Sequence, residues 1–569
     1  MRKPLISVEN FSLDFVTDEK ITHALQHISF QIERGKTLAL VGESGSGKSV
    51  SALSILRLLP LPQAKMVSGK IIFNEDEKEG IDLAQLGEKE MNLIRGKKIG
   101  MIFQEPMTSL NPLMTCGQQV AETLVMHKKI STSQAYHETI KWFAEVKLPE
   151  PELIFSKYPH ELSGGQKQRV MISMAICCEP LLLIADEPTT ALDVTVQKTI
   201  LDLLKELQRK MGMAILFITH DLSLVKYLAD EVLIMYQSRC IESGSVDKIF
   251  SNPTEAYTKG LLSCRPPTTH RVKFLQTVQE FMNETIVINP QTNRVTASTF
   301  ENKLNDLSKQ AIIFECKNLE IHYPLRTNFW GKVTAWHNAV QGVNLQIHTG
   351  ETMGLVGESG CGKTSVGKAM VLLNKISGGE ILYKGKNISD FSRSELADYK
   401  RQVQIIFQDP YSSLNPRISI GQAIKEPMEV HQIHNEKNRK EKVIDLLNKV
   451  GLLPEHYHRY PHEFSGGQRQ RICIARTLAL EPEFIICDES VSALDVSIQA
   501  QVLNLLSVLR DEFNLSYLFI SHDLGVIKHI SNRVAVMHQG KICELNDAET
   551  IYHSPKADYT KFLLESTFS

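Results

Sequence analysis

Two short stretches could hold a chain of phosphates. GESGSGKS runs from Gly42 through Glu43, Ser44, Gly45, Ser46 and Gly47 to Lys48 and Ser49. GESGCGKT runs from Gly357 through Glu358, Ser359, Gly360, Cys361 and Gly362 to Lys363 and Thr364. Each follows an apolar run and opens a helical stretch, the context that makes a G-x-x-x-x-G-K-[ST] string a P-loop. The glycines let successive backbone N–H groups face one anion, and the helix N-terminus adds partial positive charge. Lys48 and Lys363 would reach the β- and γ-phosphates, and the Ser49 and Thr364 hydroxyls would ligate Mg2+. A chance match occurs in roughly 2% of chains this long, so two matches in the right context leave chance out of account.

Two further apolar runs, LLLIADE and FIICDE, end in paired acids. Ligands of a parallel sheet sit beyond the carboxyl ends of its strands. Asp186 and Asp488 are therefore placed to hold Mg2+, and Glu187 and Glu489 to polarise an attacking water. SGGQ occurs twice, as Ser163, Gly164, Gly165 and Gln166 and as Ser465, Gly466, Gly467 and Gln468. Each copy reads as a capping box that opens a helix, and so offers a second phosphate-ready helix N-terminus. His220 and His522 end the runs AILFITH and YLFISH, where a neutral imidazole could hydrogen-bond a γ-phosphate. Gln104 and Gln408 also follow apolar runs, in MIFQEP and IIFQDP. Cys361 stands where the first loop has Ser46. A thiol at a helix start beside Lys363 is expected to favour the thiolate, and so to react with maleimides faster than Cys487 inside its apolar run.

The elements that position these groups are themselves duplicated. Ser163 and Ser465, Asp186 and Asp488, His220 and His522, and Tyr257 and Tyr559 all share one separation. Upstream the separation drifts by a few residues, as small loop insertions would cause. Even the ends echo, NPTEAYTKGLL against SPKADYTKFLL. The period is far too long for a solenoid, so a whole domain is repeated. Short apolar runs alternate with helical stretches, the α/β signature, and the wholly apolar runs predict sheets buried on both faces. Residues 265–310 open with Pro-Pro and lack a sustained apolar pattern. They are expected to form a linker with one short helix between domains 1–264 and 311–569.

With 569 residues, 42% hydrophobic and 22% charged, the chain can build two cores. Its net charge of -2 leaves no electrostatic footprint for nucleic acid. The ten cysteines form no C-x-x-C pair, which predicts a reducing compartment without disulfides or zinc. The N-terminus MRKPLISVENFSLDF lacks the apolar core of a signal peptide. No apolar run approaches the roughly 18 residues that span a bilayer.

Taken together these motifs resemble the nucleotide-binding subunits of ABC transporters across nearly the whole chain, 265–310 excepted. Walker A, Q-loop, signature, Walker B, D-loop (ALD at 191–193 and 493–495) and H-loop occur twice in that order. The resemblance implies two tandem P-loop NTPase domains. Each would have a mostly parallel core sheet, an antiparallel β subdomain and a helical subdomain. The texts QEPMTSLNP and QDPYSSLNP, ALDVTVQ and ALDVSIQ, and the two YT-x-x-LL tails are similar to the oligopeptide, dipeptide and nickel import branch. The N-terminal half resembles its D-type ATPase. The C-terminal half resembles its F-type, with an early insert LRTNFWGKVTAWHNAVQGV. Their fusion is similar to the ATPases of glutathione and microcin C importers.

In that family each ATP lies between the P-loop of one domain and the signature of the other. The resemblance thus implies that Lys48 shares a nucleotide with Ser465, and Lys363 with Ser163, in a head-to-tail pairing within the chain. Phe15 and Tyr323 fall where the family stacks adenine, and Gln104 and Gln408 where it completes the Mg2+ site. The implied partners are two transmembrane permease subunits and an extracytoplasmic solute-binding protein. The implied location is the cytoplasmic face of the inner membrane, as a peripheral subunit. Three departures stand out. Ser490 replaces the usual proline after Walker B, for which only a local turn change is expected. Phe464 replaces the signature leucine. Only Cys264 lies where some relatives carry an iron–sulfur cluster, so none is expected. The alternative weighed against an importer is a soluble twin-ATPase translation factor acting on ribosomes. Its longer, highly charged linker and the import-type SLNP text argue against it.

Overall fold

The computed structural model describes residues 3–567 except 18–19, 77–79, 105–108, 191, 268–269, 284–289, 328–332 and 493. The chain divides into two compact units, Met1–Leu262 and Ser263–Thr567. Ala191 and Ala493 of the D-loops, part of the QEPMTSLNP text and part of the 325–343 insert lie outside the described residues.

Among its described residues the first unit holds ten strands in two sheets. β1 (Ile6–Val16), β2 (Ile21–Ile32), β4 (Ala64–Phe73) and β5 (Ile81–Asp82) form an antiparallel sheet in the order β2-β1-β4-β5. β3 (Thr37–Val41), β6 (Ile99–Ile102), β7 (Leu182–Asp186), β8 (Ala214–Thr219), β9 (Glu231–Tyr236) and β10 (Arg239–Ser245) form the second, in the order β10-β9-β3-β8-β7-β6. This sheet is parallel except for its edge strand β10. β3, β7 and β8 are buried at every residue, which is why their sequences are continuous apolar runs rather than alternating ones. Between β6 and β7 the helices Cys116–Lys128, Thr132–Glu145, Pro151–Ser156 and Gly164–Ile176 form a helical layer. The first two are opened by capping boxes at Thr115 and Ser131.

In the second unit the plan recurs. Past two short strands, β11 (Arg271–Val272) and β12 (Arg294–Val295), come β13 (Ile312–Thr327), β14 (Val333–His348), β15 (Thr352–Val356), β16 (Gly378–Tyr383) and β17 (Lys386–Asn387). Then follow β18 (Val403–Ile406), β19 (Phe484–Asp488), β20 (Ser516–Ile520), β21 (Arg533–His538) and β22 (Lys541–Asp547). The sheet orders are β14-β13-β16-β17 and β18-β19-β20-β15-β21-β22. Among the described residues no helix is long and apolar enough to cross a membrane.

The segment 265–310 carries more structure than the single short helix expected of it. β11 pairs with β12, and helices span Val278–Asn283, Pro290–Asn293 and Ala297–Ser308. It packs within the second unit. The Asn504 side chain accepts the Leu275 N–H at 2.8 Å and donates to the Leu275 carbonyl at 2.7 Å, as a neighbouring strand would. The Arg271 guanidinium donates to the carbonyls of Lys528 and Ser531, which end the helix Leu524–Ile530, and lies 4.1 Å over the Phe300 ring. A cation at a helix C-terminus meets the negative end of the helix dipole.

His529 lies on that helix. Burial, helped by the charges of Arg271 and Arg510, pushes its imidazole down to about 4. An unfolded histidine titrates near 6.5, so the folded state binds fewer protons between these limits. The stabilising effect is full above pH ~6.5 and is lost as pH falls toward 4, a change of about 2–3 kcal/mol. Melting curves from pH 7.5 to 4.5 should show the second unit's midpoint falling steadily, with a shallower fall in His529→Gln. Equal slopes in both proteins would refute the assignment.

Candidate nucleotide sites

The register of the parallel sheet brings the chemical groups together. Val41 pairs with Thr219, and Asp186 with Ile218. The residues just past β3, β7 and β8 are therefore Gly42, Glu187 and His220, at one edge of the sheet. In the second unit Leu355 and Asp488 both pair with Ile520. Gly357, Glu489 and His522 converge in the same way.

Each loop turns at glycine for a steric reason. A Cβ on Gly42 would lie 2.2 Å from the Met235 carbonyl oxygen, and one on Gly357 would lie 2.1 Å from that of Met537. Gly47 and Gly362, at φ 101° and 109°, set the left-handed entry to the helices Lys48–Leu56 and Lys363–Met370. Inside each loop the lysine ammonium is buried. Lys48 Nζ donates to the Gly42 and Glu43 carbonyls at 2.7 and 2.9 Å. Lys363 Nζ donates to those of Gly357 and Glu358 at 2.8 Å each. Ser44, Gly45, Ser359 and Gly360 form the exposed loop tips.

The following hydroxyl meets the first acid. Ser49 Oγ donates to Asp186 at 3.1 Å and Thr364 Oγ1 to Asp488 at 2.8 Å. The second acid gathers the rest. Glu187 accepts from Gln104 Nε2 and Thr190 Oγ1 at 3.0 Å each, and lies 3.1 Å from His220 Nδ1. Glu489 accepts from Gln408 Nε2 at 2.8 Å and lies 3.6 Å from His522 Nδ1. Glu187 and Glu489 sit at φ 46° and 48°, a costly conformation for a side-chain-bearing residue.

Adjacent acids titrate in opposite directions. Burial pushes Asp186 up to about 6, against the Ser49 hydrogen bond and with the Glu187 charge. Burial also opposes the charge of Glu187, but the His220 and Thr190 bonds overcome it and hold that carboxyl down at about 2. Burial likewise raises Asp488, against the Thr364 hydrogen bond, and opposes the charge of Glu489, which the bond and charge of His522 hold below the ordinary value. A carboxylate this acidic is a weak base, so it suits orienting and polarising water more than taking a proton. At His522 two effects oppose each other. Burial favours its neutral form, yet the bond and charge of Glu489 raise it above the ordinary value.

The remaining sequence candidates fall in these places. Ser163 and Ser465 are exposed N-caps, each accepting the N–H of its glutamine, Gln166 or Gln468, in a reciprocal box. Phe464 is buried like Leu162 and packs edge-on to His456 at 5.2 Å. Ser490 is buried where Pro188 stands in the first unit. The turn is unchanged: the N–H of Glu187 bonds Ile218 at 2.9 Å, and that of Glu489 bonds Ile520 at 3.0 Å. Tyr323 is half-buried on β13, its hydroxyl donating to Ser365 at 3.1 Å and accepting from Asn374 at 2.7 Å. Phe15 is half-buried on β1 against the first core. Asp193 caps the helix Val194–Met211 through the Val196 N–H at 2.9 Å.

The thiolate expected at Cys361 is contradicted. The side chain is 7% exposed, tucked under Gly357. Burial raises its pKa, and Lys363, 3.8 Å from the sulfur, only partly opposes this. A helix start favours a thiolate only where the sulfur is solvated, and here it packs as a small hydrophobe. Its counterpart Ser46 is buried with no hydrogen-bond partner for its hydroxyl, a cost the thiol avoids. N-ethylmaleimide should therefore inhibit wild type and Cys361→Ser at equal rates, with the first adduct mapping by mass spectrometry to exposed Cys543. Slower inhibition of Cys361→Ser would overturn this.

The family model for ABC transporters matches residues 25–190 and 340–492. The model for the oligopeptide/dipeptide transporter C-terminal region matches residues 241–286. Over 560 residues the chain is 46% identical to the glutathione import ATP-binding protein GsiA of Escherichia coli (strain K12), covering 98% of this chain and 89% of that one. It is 45% identical, with the same coverage, to the protein of that name from Shigella flexneri. A solved ATP-binding cassette, a dimeric post-hydrolysis state with ADP and Pi, aligns with 42% of this chain and 98% of its own, at 27% identity and a TM-score of 0.38. The whole-chain match and the transporter C-terminal region decide against the translation-factor alternative. The chain belongs to the ABC transporter family, as an ATP-binding subunit that hydrolyses ATP.

Proposed function

We propose that the chain powers an importer for peptides or peptide-like solutes, with glutathione, named for its relatives, as one candidate. One observation, made twice, carries the reading. At the carboxyl ends of adjacent strands each unit sets a buried lysine, a hydroxyl–carboxylate pair and a Gln–Glu–His cluster. In this reading the loops Gly42–Ser49 and Gly357–Thr364 cradle the phosphates, and Phe15 and Tyr323 stack on adenine. Glu187 and Glu489 orient the water, with His220 and His522 beside them.

The donor set also fits Mg2+. Ser49, Thr364, Asp186 and Asp488, with Gln104 and Gln408, offer the oxygen ligands that this ion takes. Burial, with the Glu187 charge, pushes Asp186 toward the neutral acid, an effect a bound cation would offset. Bound there, the ion would neutralise charge on the phosphate oxygens.

The two halves, 1–264 and 311–569, act as a head-to-tail pair, so that Ser465 to Gln468 complete the site of Lys48 and Ser163 to Gln166 that of Lys363. Two features of the signatures support this. Ser163 and Ser465 are exposed. A Cβ on Gly466 would meet nothing within 4 Å, and one on Gly164 only Leu192 at 3.4 Å. Packing within their own units thus does not require these glycines, whereas close approach of a phosphate does. Two permease subunits receive the motion at the cytoplasmic face of the inner membrane, and an extracytoplasmic solute-binding protein delivers the cargo.

Glu187→Gln with Glu489→Gln should bind ATP normally while steady-state hydrolysis falls roughly 10²–10⁴-fold. Near-normal turnover by the double variant would refute the assigned role. Lys48→Ala with Ser465→Arg should cost little beyond either change alone, because both damage one nucleotide site. Lys48→Ala with Ser163→Arg should damage two sites and cost more. Equal ATPase losses for the two combinations would exclude head-to-tail pairing.

A further inference from the structure

The echo between the two C-terminal tails has no part in the chemistry described so far. The structure gives it one. Tyr257 lies on the helix Ala256–Ser263, and its hydroxyl accepts the Glu43 N–H at 3.2 Å. Tyr559 lies on the helix Asp558–Glu565, and its hydroxyl accepts the Glu358 N–H at 3.1 Å. The peptide on either side of each glutamate is thus gripped twice. Its carbonyl takes the lysine ammonium from within the loop, and its N–H is taken by the tyrosine from outside.

Both tyrosines are braced in turn. The Tyr257 ring is 2% exposed and packs on Tyr236, at the end of β9, with centroids 4.3 Å apart. Tyr559 stacks on His538, at the end of β21, at 3.9 Å. One carboxylate in each unit fixes the turn ahead of the helix. Glu242 on β10 accepts the N–H groups of Thr254 and Glu255 at 2.8 and 3.2 Å. Glu544 on β22 accepts those of Lys556 and Ala557 at 2.8 and 3.0 Å. The same chain of contacts, carboxylate to turn to tyrosine to loop amide, is built twice from different surrounding sequence.

We infer that Tyr257 and Tyr559 are positioning residues for nucleotide binding: each pins the first peptide of its own P-loop so that the lysine can exchange loop carbonyls for phosphate without the loop following it. The inference rests on reading the two glycine-rich loops as the phosphate cradles. A loop held only by its lysine would shift when that lysine turns to the ligand, and displacements near 1 Å are costly in such sites. The tail of each half, including the stretch that matches the transporter C-terminal region, is then part of the nucleotide site's support.

The test is ADP affinity by calorimetry on the full chain, with the ADP-induced rise in melting temperature as a second readout. Tyr257→Phe and Tyr559→Phe keep the ring contacts and remove only the hydroxyl. Each should weaken one class of ADP site about 2–10-fold, the range for losing one hydrogen bond, and shrink the ADP-induced rise. ATPase assays should show a raised KM with kcat at saturation retained. A merely structural tyrosine would lower the melting temperature without ADP and leave affinity and KM alone. Glu242→Gln with Glu544→Gln, which leaves both tyrosines in place, should move affinity in the same direction. Lys48→Ala with Lys363→Ala is the control for the cradle reading. If it retains ADP binding, that reading falls and the inference with it. If it abolishes binding while both Tyr→Phe variants bind like wild type, the tyrosine inference alone is overturned.

Discussion

A buried ammonium is the constraint on which each site depends. Lys48 and Lys363 are 6% and 4% exposed, and an ammonium removed from water is costly unless its donors are satisfied. The loop carbonyls satisfy donors, but they are dipoles and leave the positive charge in place. That charge, at a helix N-terminus, is what attracts a phosphate. The loop can fold around the lysine only where the backbone passes tightly against Met235 or Met537, and only glycine fits there.

The counter-charges come from the next strands, and their arrangement follows from register rather than from any single residue. Parallel pairing aligns the ends of the three central strands, so an acid placed one residue past a strand end must face the loop. Consecutive residues of a strand point to opposite faces, and the positive φ at Glu187 and Glu489 breaks that alternation. It lets two neighbouring acids serve one site in different states. One is raised by burial beside a hydroxyl and is suited to a cation. The other is lowered by histidine in both halves, with threonine adding to this only at Glu187, and is suited to orienting water. A pair of carboxyls pushed apart in pKa is how one environment supports two roles.

How far the sequence carries the reading depends on the range of the contact. The P-loops, paired acids, histidines and glutamines are legible because strand ends and helix starts obey local rules, and each recurs in the duplicate. The fate of Cys361 is not, because neighbouring residues show a helix start and a lysine but not the backbone that covers the sulfur. Segment 265–310 reads as a linker with one short helix for a related reason. Its anchors, Asn504 for Leu275 and the carbonyls of Lys528 and Ser531 for Arg271, lie more than two hundred residues away, and its few buried apolar side chains follow no period. The tail tyrosines lie between these cases. Their repetition was visible, but their partners Glu43 and Glu358 lie about two hundred residues upstream.

Where the two halves differ shows which contacts are under the tighter physical demand. Ser46 and Cys361, Phe15 and Tyr323, Pro188 and Ser490 all differ, and Val16 of β1 aligns with proline at 324. At the first of these positions the side chain is turned inward, and the backbone N–H of the loop is one that any residue supplies. At Ser490 the turn hydrogen bond to β20 is a backbone bond, and it forms as in the first half. The positions that supply a side-chain charge or acceptor to the cluster are the same in both halves: lysine, aspartate, glutamate, glutamine and histidine. Even the hydroxyl that bonds the first acid changes only from serine to threonine. Side-chain identity is held fixed where the side chain itself does the chemistry, and it drifts where the backbone does.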